Sequence, residues 1–295
     1  MSELATSFSS LLSAEILERP ELVALPGCPF SLPSRDDLTF LTQQRTAKYR
    51  HKDIYFNPDD GQIQGCREKD VTRRDRVRRI LSSFSDSVDS WLRNALPAYA
   101  SGLVKDRATL RTREEATRAL RVTARNDLLH IDNFPTRPTY GRRILRVFVN
   151  IHPTENQVWA VSEDFRQLLK RYSEVHKVPI RTMTEWLAPA TSMLSIFGRR
   201  RDTRSAYDAW MLRLHHFLKQ DLAFQSLAAR KVINFAPSAT WLLFSDGLAH
   251  AHLRGRFVLE HSFFVDSKCL VAAAESPIAI LAALGEDGRQ TPAKN

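Results

Sequence analysis

Residues 128–153 read LLHIDNFPTRPTYGRRILRVFVNIHP, and the second half of this stretch decides the fold. RRILRVFVNI is rich in β-branched and aromatic residues and stops before Pro153, so it reads as a strand. Ile144, Arg146, Phe148 and Asn150 fall on one face of it, and Leu145, Val147 and Val149 on the other. Working outward, VWAVS (158–162), KVINFA (231–236), TWLLFS (240–245) and RFVLEHSFFV (256–265) have the same character. Between them, SAYDAWMLRLHHFLKQDLAF (205–224) places Tyr207, Trp210, Met211, Leu214, Leu218 and Leu222 on one helical stripe. Upstream, Val77, Ile80, Leu81, Phe84, Val88, Trp91, Leu92 and Leu96 recur in steps of three and four, which predicts an amphipathic helix ending near Pro97. Its arginines read as the wet face of that helix.

Mostly antiparallel strands with helices outside them predict an α+β fold with a mainly β core, a double-stranded β-helix or jelly roll. The chain reads as a single domain, 1–295. Residues 1–115 form an irregular and helical support, 116–270 the β-helix core with a helical insertion at about 163–228, and 271–295 a C-terminal tail.

The first half of the opening stretch carries the chemistry. On an extended strand end His130 and Asp132 share a face, so both can meet one metal ion. A further histidine would complete a two-His-one-carboxylate set, which leaves positions open on iron(II) for a chelating cosubstrate and dioxygen. His250 is the expected third ligand, because it follows the strand TWLLFS and the turn-forming Asp246-Gly247 and precedes the last long strand. His252 shares a face with His250 and is its close rival; His216 and His261 are more distant ones. An HxD pair alone is weak, since such a histidine is commonly just hydrogen-bonded in a core or at a surface. The order of loop, strand, helical insertion, strand, turn, histidine and strand favours the metal.

A 2-oxoglutarate cosubstrate needs a cation for the carboxylate that does not chelate metal. Many such enzymes carry an arginine on the strand after the last histidine, but Glu260 stands there and repels a carboxylate. Arg146, in mid-strand among apolar neighbours, is the expected replacement. A buried arginine requires an anion, either the cosubstrate or an internal Asp or Glu, and the cosubstrate is preferred. Asn150 lies on the same face, and Arg256 is the reserve.

Composition sets limits. Lys and Arg outnumber Asp and Glu by 43 to 33, a formal charge of +10, which favours anionic partners without naming them. Cys28, Cys66 and Cys269 are scattered and form no CxxC pair, so neither a disulfide framework nor a structural zinc site is expected, and a reducing, cytosolic setting fits. The first residues do not resemble a secretory signal, and Glu275 and Pro277 break the apolar run near the C-terminus below a membrane-spanning length. His215, His216, Lys219 and Asp221 read as polar pairs on an exposed helix face and receive no role.

HIDNFPTRPTYGRRILRVFVNIHP, VWAVSEDF, YDAWMLRLHHFLKQDLAFQ and TWLLFSDGLAHAHLRGRFVLEHSFFV together resemble the Kdo 3-hydroxylases, in the same order, with QQRTAKYRHKDIYFNPDDGQIQG resembling them less specifically. The chain departs from that pattern at Arg256, where the family has glutamine, and at His252. The resemblance implies hydroxylation at C3 of 3-deoxy-D-manno-oct-2-ulosonic acid (Kdo) in Kdo-lipid A, with iron(II) as the cofactor, 2-oxoglutarate and O2 consumed alongside, and succinate and CO2 released. It implies an anionic glycolipid substrate, for which Arg137, Arg142 and Arg143 are candidate clamps. It also implies a cytoplasmic enzyme in peripheral contact with the anionic face of the bacterial inner membrane. No nucleic acid is expected. The alternatives are an oxygenase of the same type acting on nucleic acid or a protein side chain, and a basic binding module without iron.

Overall fold

The computed structural model describes residues 11–47, 53–114, 120–190 and 204–290. Ten strands run in chain order: β1 (Val23–Leu25), β2 (Ile54–Asn57), β3 (Gln62–Gln64), β4 (Leu103–Arg111), β5 (Arg143–Asn150), β6 (Gln157–Asp164), β7 (Lys231–Phe235), β8 (Thr240–Phe244), β9 (Leu248–Arg254) and β10 (Val258–Val265). They form a seven-stranded antiparallel sheet, ordered β1-β8-β5-β10-β4-β2-β3, and a three-stranded antiparallel sheet, β7-β6-β9. Phe148, Trp241, Leu243 and Val258 of the large sheet pack on Trp159, Phe235 and Leu248 of the small one. This is the sandwich of a jelly roll, with the functional side chains between its sheets.

The alternation read on β5 sorts its residues as expected. Leu145, Val147 and Val149 face outward onto α1 (Val71–Ala95), joining Val77, Leu81, Val88 and Leu92 in one core. Asp70 caps this helix by accepting the Arg73 backbone N–H at 3.0 Å, and Pro97 follows its end. Losing a fully buried leucine such as Leu81 to alanine costs about 2–5 kcal/mol.

On the other side, α2 (Phe165–Val175), α3 (Ala206–Gln220) and α4 (Pro277–Gln290) build a second core with Leu129, Ile131, Ala249 and Ala251. Residues 191–203 of the expected insertion, and 116–119 at the start of the expected core, lie outside the described residues.

Three features differ from the sequence reading. Residues 1–60 include β1, β2 and two short helices. The segment after α1 is β4, an interior strand of the large sheet, where the sequence reading placed only an irregular and helical support. The expected tail contains α4, whose Ile278, Ile280, Leu281 and Ala282 are buried.

Candidate metal centre

His130 and His250 meet across a two-residue antiparallel bridge. The backbone N–H of each donates to the carbonyl of the other, at 3.1 and 2.9 Å, so the HID segment lies alongside β9. Asp132 N donates to Ser245 O at 2.7 Å, tying the same segment to the turn that carries the chain from β8 into β9. Gly247 in that turn is pressed against Arg143: a Cβ there would lie 2.7 Å from Arg143 Nη2. Arg143 in turn donates to Asp246 at 2.8 Å, which fixes the turn.

The histidine rings are oriented from behind. His130 Nδ1 lies 2.7 Å from Leu128 O and His250 Nδ1 2.9 Å from Leu248 O, so Nδ1–H donates to a carbonyl in each and Nε2 keeps its lone pair. Both Nε2 atoms point at Asp132, at 3.6 Å from Oδ1 for His130 and 3.7 Å from Oδ2 for His250. One ligand atom from each residue lies within 4.8 Å of the other two, and all three residues are buried. Metal–ligand bonds of about 2.1 Å put neighbouring ligands roughly 3 Å apart, so a small inward movement closes this set on one ion. The residues present therefore fit an iron-binding facial triad.

Electrostatics favour the metal-binding protonation states. Burial pushes both histidines down from their usual pKa, His130 well down with help from the Lys219 cation, so both stay neutral. Burial acts to raise the Asp132 pKa, but the Arg146 guanidinium outweighs it and holds the carboxyl well below the usual range.

His252, the rival ligand, lines the same cavity but is outside the cluster: its Nε2 lies 3.0 Å from Gln157 Oε1, and its ring stacks on Trp159. His261 is on the outer face of β10, 2.7 Å from Ser85 of α1. His216 is not in the cluster.

Arg146 enters the same cavity from β5. It is 7% exposed and donates to both Asp132 and Glu260. The internal carboxylates that the sequence left as its second choice of partner are thus present. Arg111 of β4, which the sequence reading missed, donates to the other oxygen of Glu260 at 2.6 Å. Glu260 accordingly does not leave a bare negative charge facing the cavity: two arginines and two acids balance. The cavity is lined by Arg111, Asn126, His130, Arg146, Trp159, His250 and His252. Larger cavities exist, including one between Glu18, Arg143 and Asp164, but the only metal-binding cluster among the described residues is this one.

The remaining arginines separate. Arg137 donates to Asp106 and lies over Phe134, and Arg142 lies over Phe264. Arg143 is an odd number of residues from Arg146 on one strand, so it faces the opposite way and is spent on Asp246. Arg256 is exposed in the β9–β10 turn, and Asn150 spends its amide on Glu155 O, Phe235 O, His152 N and Gln157. Neither lines the cavity.

Two helix residues expected on an exposed face are buried behind the centre. His215 Nδ1 lies 2.6 Å from Ile131 O, between the first two ligands, and Lys219 donates to Thr123 O. Both sit beside the Met211 and Leu214 stripe, one turn on, which is the signal that could have placed them.

Residues 6–288 match the family model for 3-deoxy-D-manno-oct-2-ulosonic acid (Kdo) hydroxylase. The chain belongs to the Kdo hydroxylase family. Two structures of the Kdo hydroxylase KdoO, described as a non-heme Fe(II) alphaketoglutarate-dependent dioxygenase, bear this out. Its complex with alphaketoglutarate and Fe(III) is 27% identical, with a TM-score of 0.77 over 96% of this hydroxylase and 90% of KdoO. Its complex with cobalt(II) is 26% identical, with a TM-score of 0.78 over 100% and 94%. No curated protein matches the sequence of this hydroxylase.

Proposed function

We propose that this Kdo hydroxylase holds iron(II) on His130 Nε2, Asp132 and His250 Nε2 and hydroxylates C3 of Kdo in a Kdo-lipid A glycolipid, converting 2-oxoglutarate to succinate and CO2. The observation that carries the reading is the convergence of those three ligand atoms in a chain of this family. When bound, iron with 2-oxoglutarate and dioxygen supplies the oxidising equivalent for replacing C–H by C–OH. The chain's own residues bind, orient and exclude water. The Leu128 and Leu248 carbonyls hold the imidazoles, and Trp159 stacks on His250.

Arg146 and Arg111 are the cations for the cosubstrate's non-chelating carboxylate. A dication and a dianion entering together leave the balance of two arginines and two acids unchanged. Arg137 and Arg142, next to the HID segment, serve the anionic substrate. The +10 charge supports peripheral contact with the anionic cytoplasmic face of the inner membrane. Among the described residues no helix is long and apolar enough to cross a membrane.

The ligand assignment is tested by iron(II) titration of the wild type, His250→Ala and His252→Ala without oxygen. Loss of stoichiometric binding in His250→Ala alone is expected, and loss in His252→Ala alone would transfer the role. Membrane contact predicts cosedimentation with anionic vesicles at low salt, and its absence at every salt concentration would contradict it.

A further inference from the structure

Between His261 and Phe263 the register of β10 against β4 shifts: His261 pairs with Ala108, but Phe263 pairs with Lys105. Two residues, Asp106 and Arg107, therefore stand opposite the single residue Ser262, a β-bulge that turns both side chains toward one face. That face is the inner one, since His261 and Phe263 beside Ser262 pack outward against Phe84 of α1 and its core. On the far side of β10, Ser262 pairs with Arg146. Neighbouring strands are about 4.8 Å apart, so the backbone of Arg107 lies roughly 10 Å from that of Arg146 along one row.

Arg107 has an unusual setting for a half-buried arginine. Its guanidinium carbon lies over the Tyr55 ring, 4.0 Å from the centroid. Among the described residues no carboxylate is within ion-pair distance of it, and the adjacent Asp106 is taken by Arg137. Arg137 lies over Phe134 at the same distance, 4.0 Å, and burial together with the Arg137 charge lowers the Arg107 pKa. One acid thus stands beside two arginines and pairs with only one of them. Packing over an aromatic face supports each guanidinium; Arg107 keeps its N–H groups, and Arg137 those not given to Asp106, for recognition of an oxyanion.

We infer that Arg107, seated on Tyr55 and turned inward by the bulge, forms with Arg137 a second anion subsite that holds an oxyanion group of the glycolipid beside the iron cavity. This rests on the Kdo-lipid A reading above. The oxyanion is a carboxylate or a phosphate, since both are planar or tetrahedral acceptors matched to two forks, and it sets substrate specificity rather than performing chemistry.

The test is steady-state kinetics of Arg107→Gln on Kdo-lipid A and on the same glycolipid with its lipid A phosphates removed, with anaerobic 2-oxoglutarate binding measured alongside. A KM raised about tenfold or more, with 2-oxoglutarate affinity as in the wild type, is expected. A KM penalty on both substrates identifies the sugar carboxylate as the partner, and one confined to the phosphorylated form identifies phosphate. Arg107→Lys, which keeps the charge and loses the fork, should give an intermediate KM and serves if the glutamine variant does not fold. Wild-type KM values for the variants on both substrates overturn the subsite while leaving the oxygenase intact. A wild type that turns over neither glycolipid overturns the substrate reading and the subsite together.

Discussion

Arg146 donates one guanidinium nitrogen to Asp132 and the other to Glu260, so a triad carboxylate and the acid on the strand beyond the last histidine share one buried cation. Arg111 completes the arrangement on the second oxygen of Glu260. The pairs on one residue cannot be changed without exposing a charge on another.

Arg146→Leu should therefore do two things at once. It leaves Asp132 without its cation, costing about 3–5 kcal/mol of stability, and it weakens 2-oxoglutarate binding at least about tenfold. Denaturant unfolding and anaerobic titration measure the two effects. Normal 2-oxoglutarate affinity in a folded variant would remove Arg146 from the cosubstrate site.

His215→Ala should weaken iron. Its ring holds the Ile131 carbonyl between His130 and Asp132, so its loss frees the segment that spaces two ligands. Removing such outer support costs about 10–100-fold in metal affinity. Competition with a chelator reads the change, and unchanged affinity would make His215 only a packing residue.

Asp208→Ala should loosen the loop that carries Arg137 and Arg142. Asp208 accepts from Thr139 N, Thr139 Oγ1 and Tyr140 N at 2.7, 2.9 and 3.0 Å, and Tyr140 has a φ of 53°, which a non-glycine residue adopts only when held. A lower melting temperature with a raised KM for the glycolipid is expected, and intact kinetics would contradict the link.

Acid should destabilise the fold through His261. Burial pushes its pKa down to about 3, with Ser262 O accepting from its Nδ1–H, while an unfolded histidine titrates near 6.5. The folded pKa is depressed, so the contribution is complete above about pH 6.5 and is lost as pH falls toward about 3, at most about 1.4 kcal/mol per pH unit. His261→Gln, which can still meet Ser85, should flatten melting temperature against pH between about 7.5 and 5. An unchanged slope would place the acid sensitivity elsewhere.

The ligands were legible because their signals are local. His130 and Asp132 sit two apart on an extended segment, and Asp246-Gly247 marks the turn before His250. The choice of His250 over His252 depends on the crossing from one sheet to the other, which places His250 opposite His130 and turns His252 to Gln157. Strand β4 was hidden because its inner face carries Arg107 and Arg111, and a strand lining a polar cleft lacks the apolar alternation that betrays a half-buried one. Arg111 was lost with it. Glu260 was read by its charge, and only the pairing of β10 between β4 and β5 reveals the two arginines that neutralise it.

The central claim is tested most directly by adding iron(II) and 2-oxoglutarate to the protein without oxygen, recording the visible spectrum, then admitting air with Kdo-lipid A and weighing the product. A charge-transfer band followed by one added oxygen on the Kdo sugar is the predicted result. A protein that gives no band and returns the glycolipid unchanged would contradict the account.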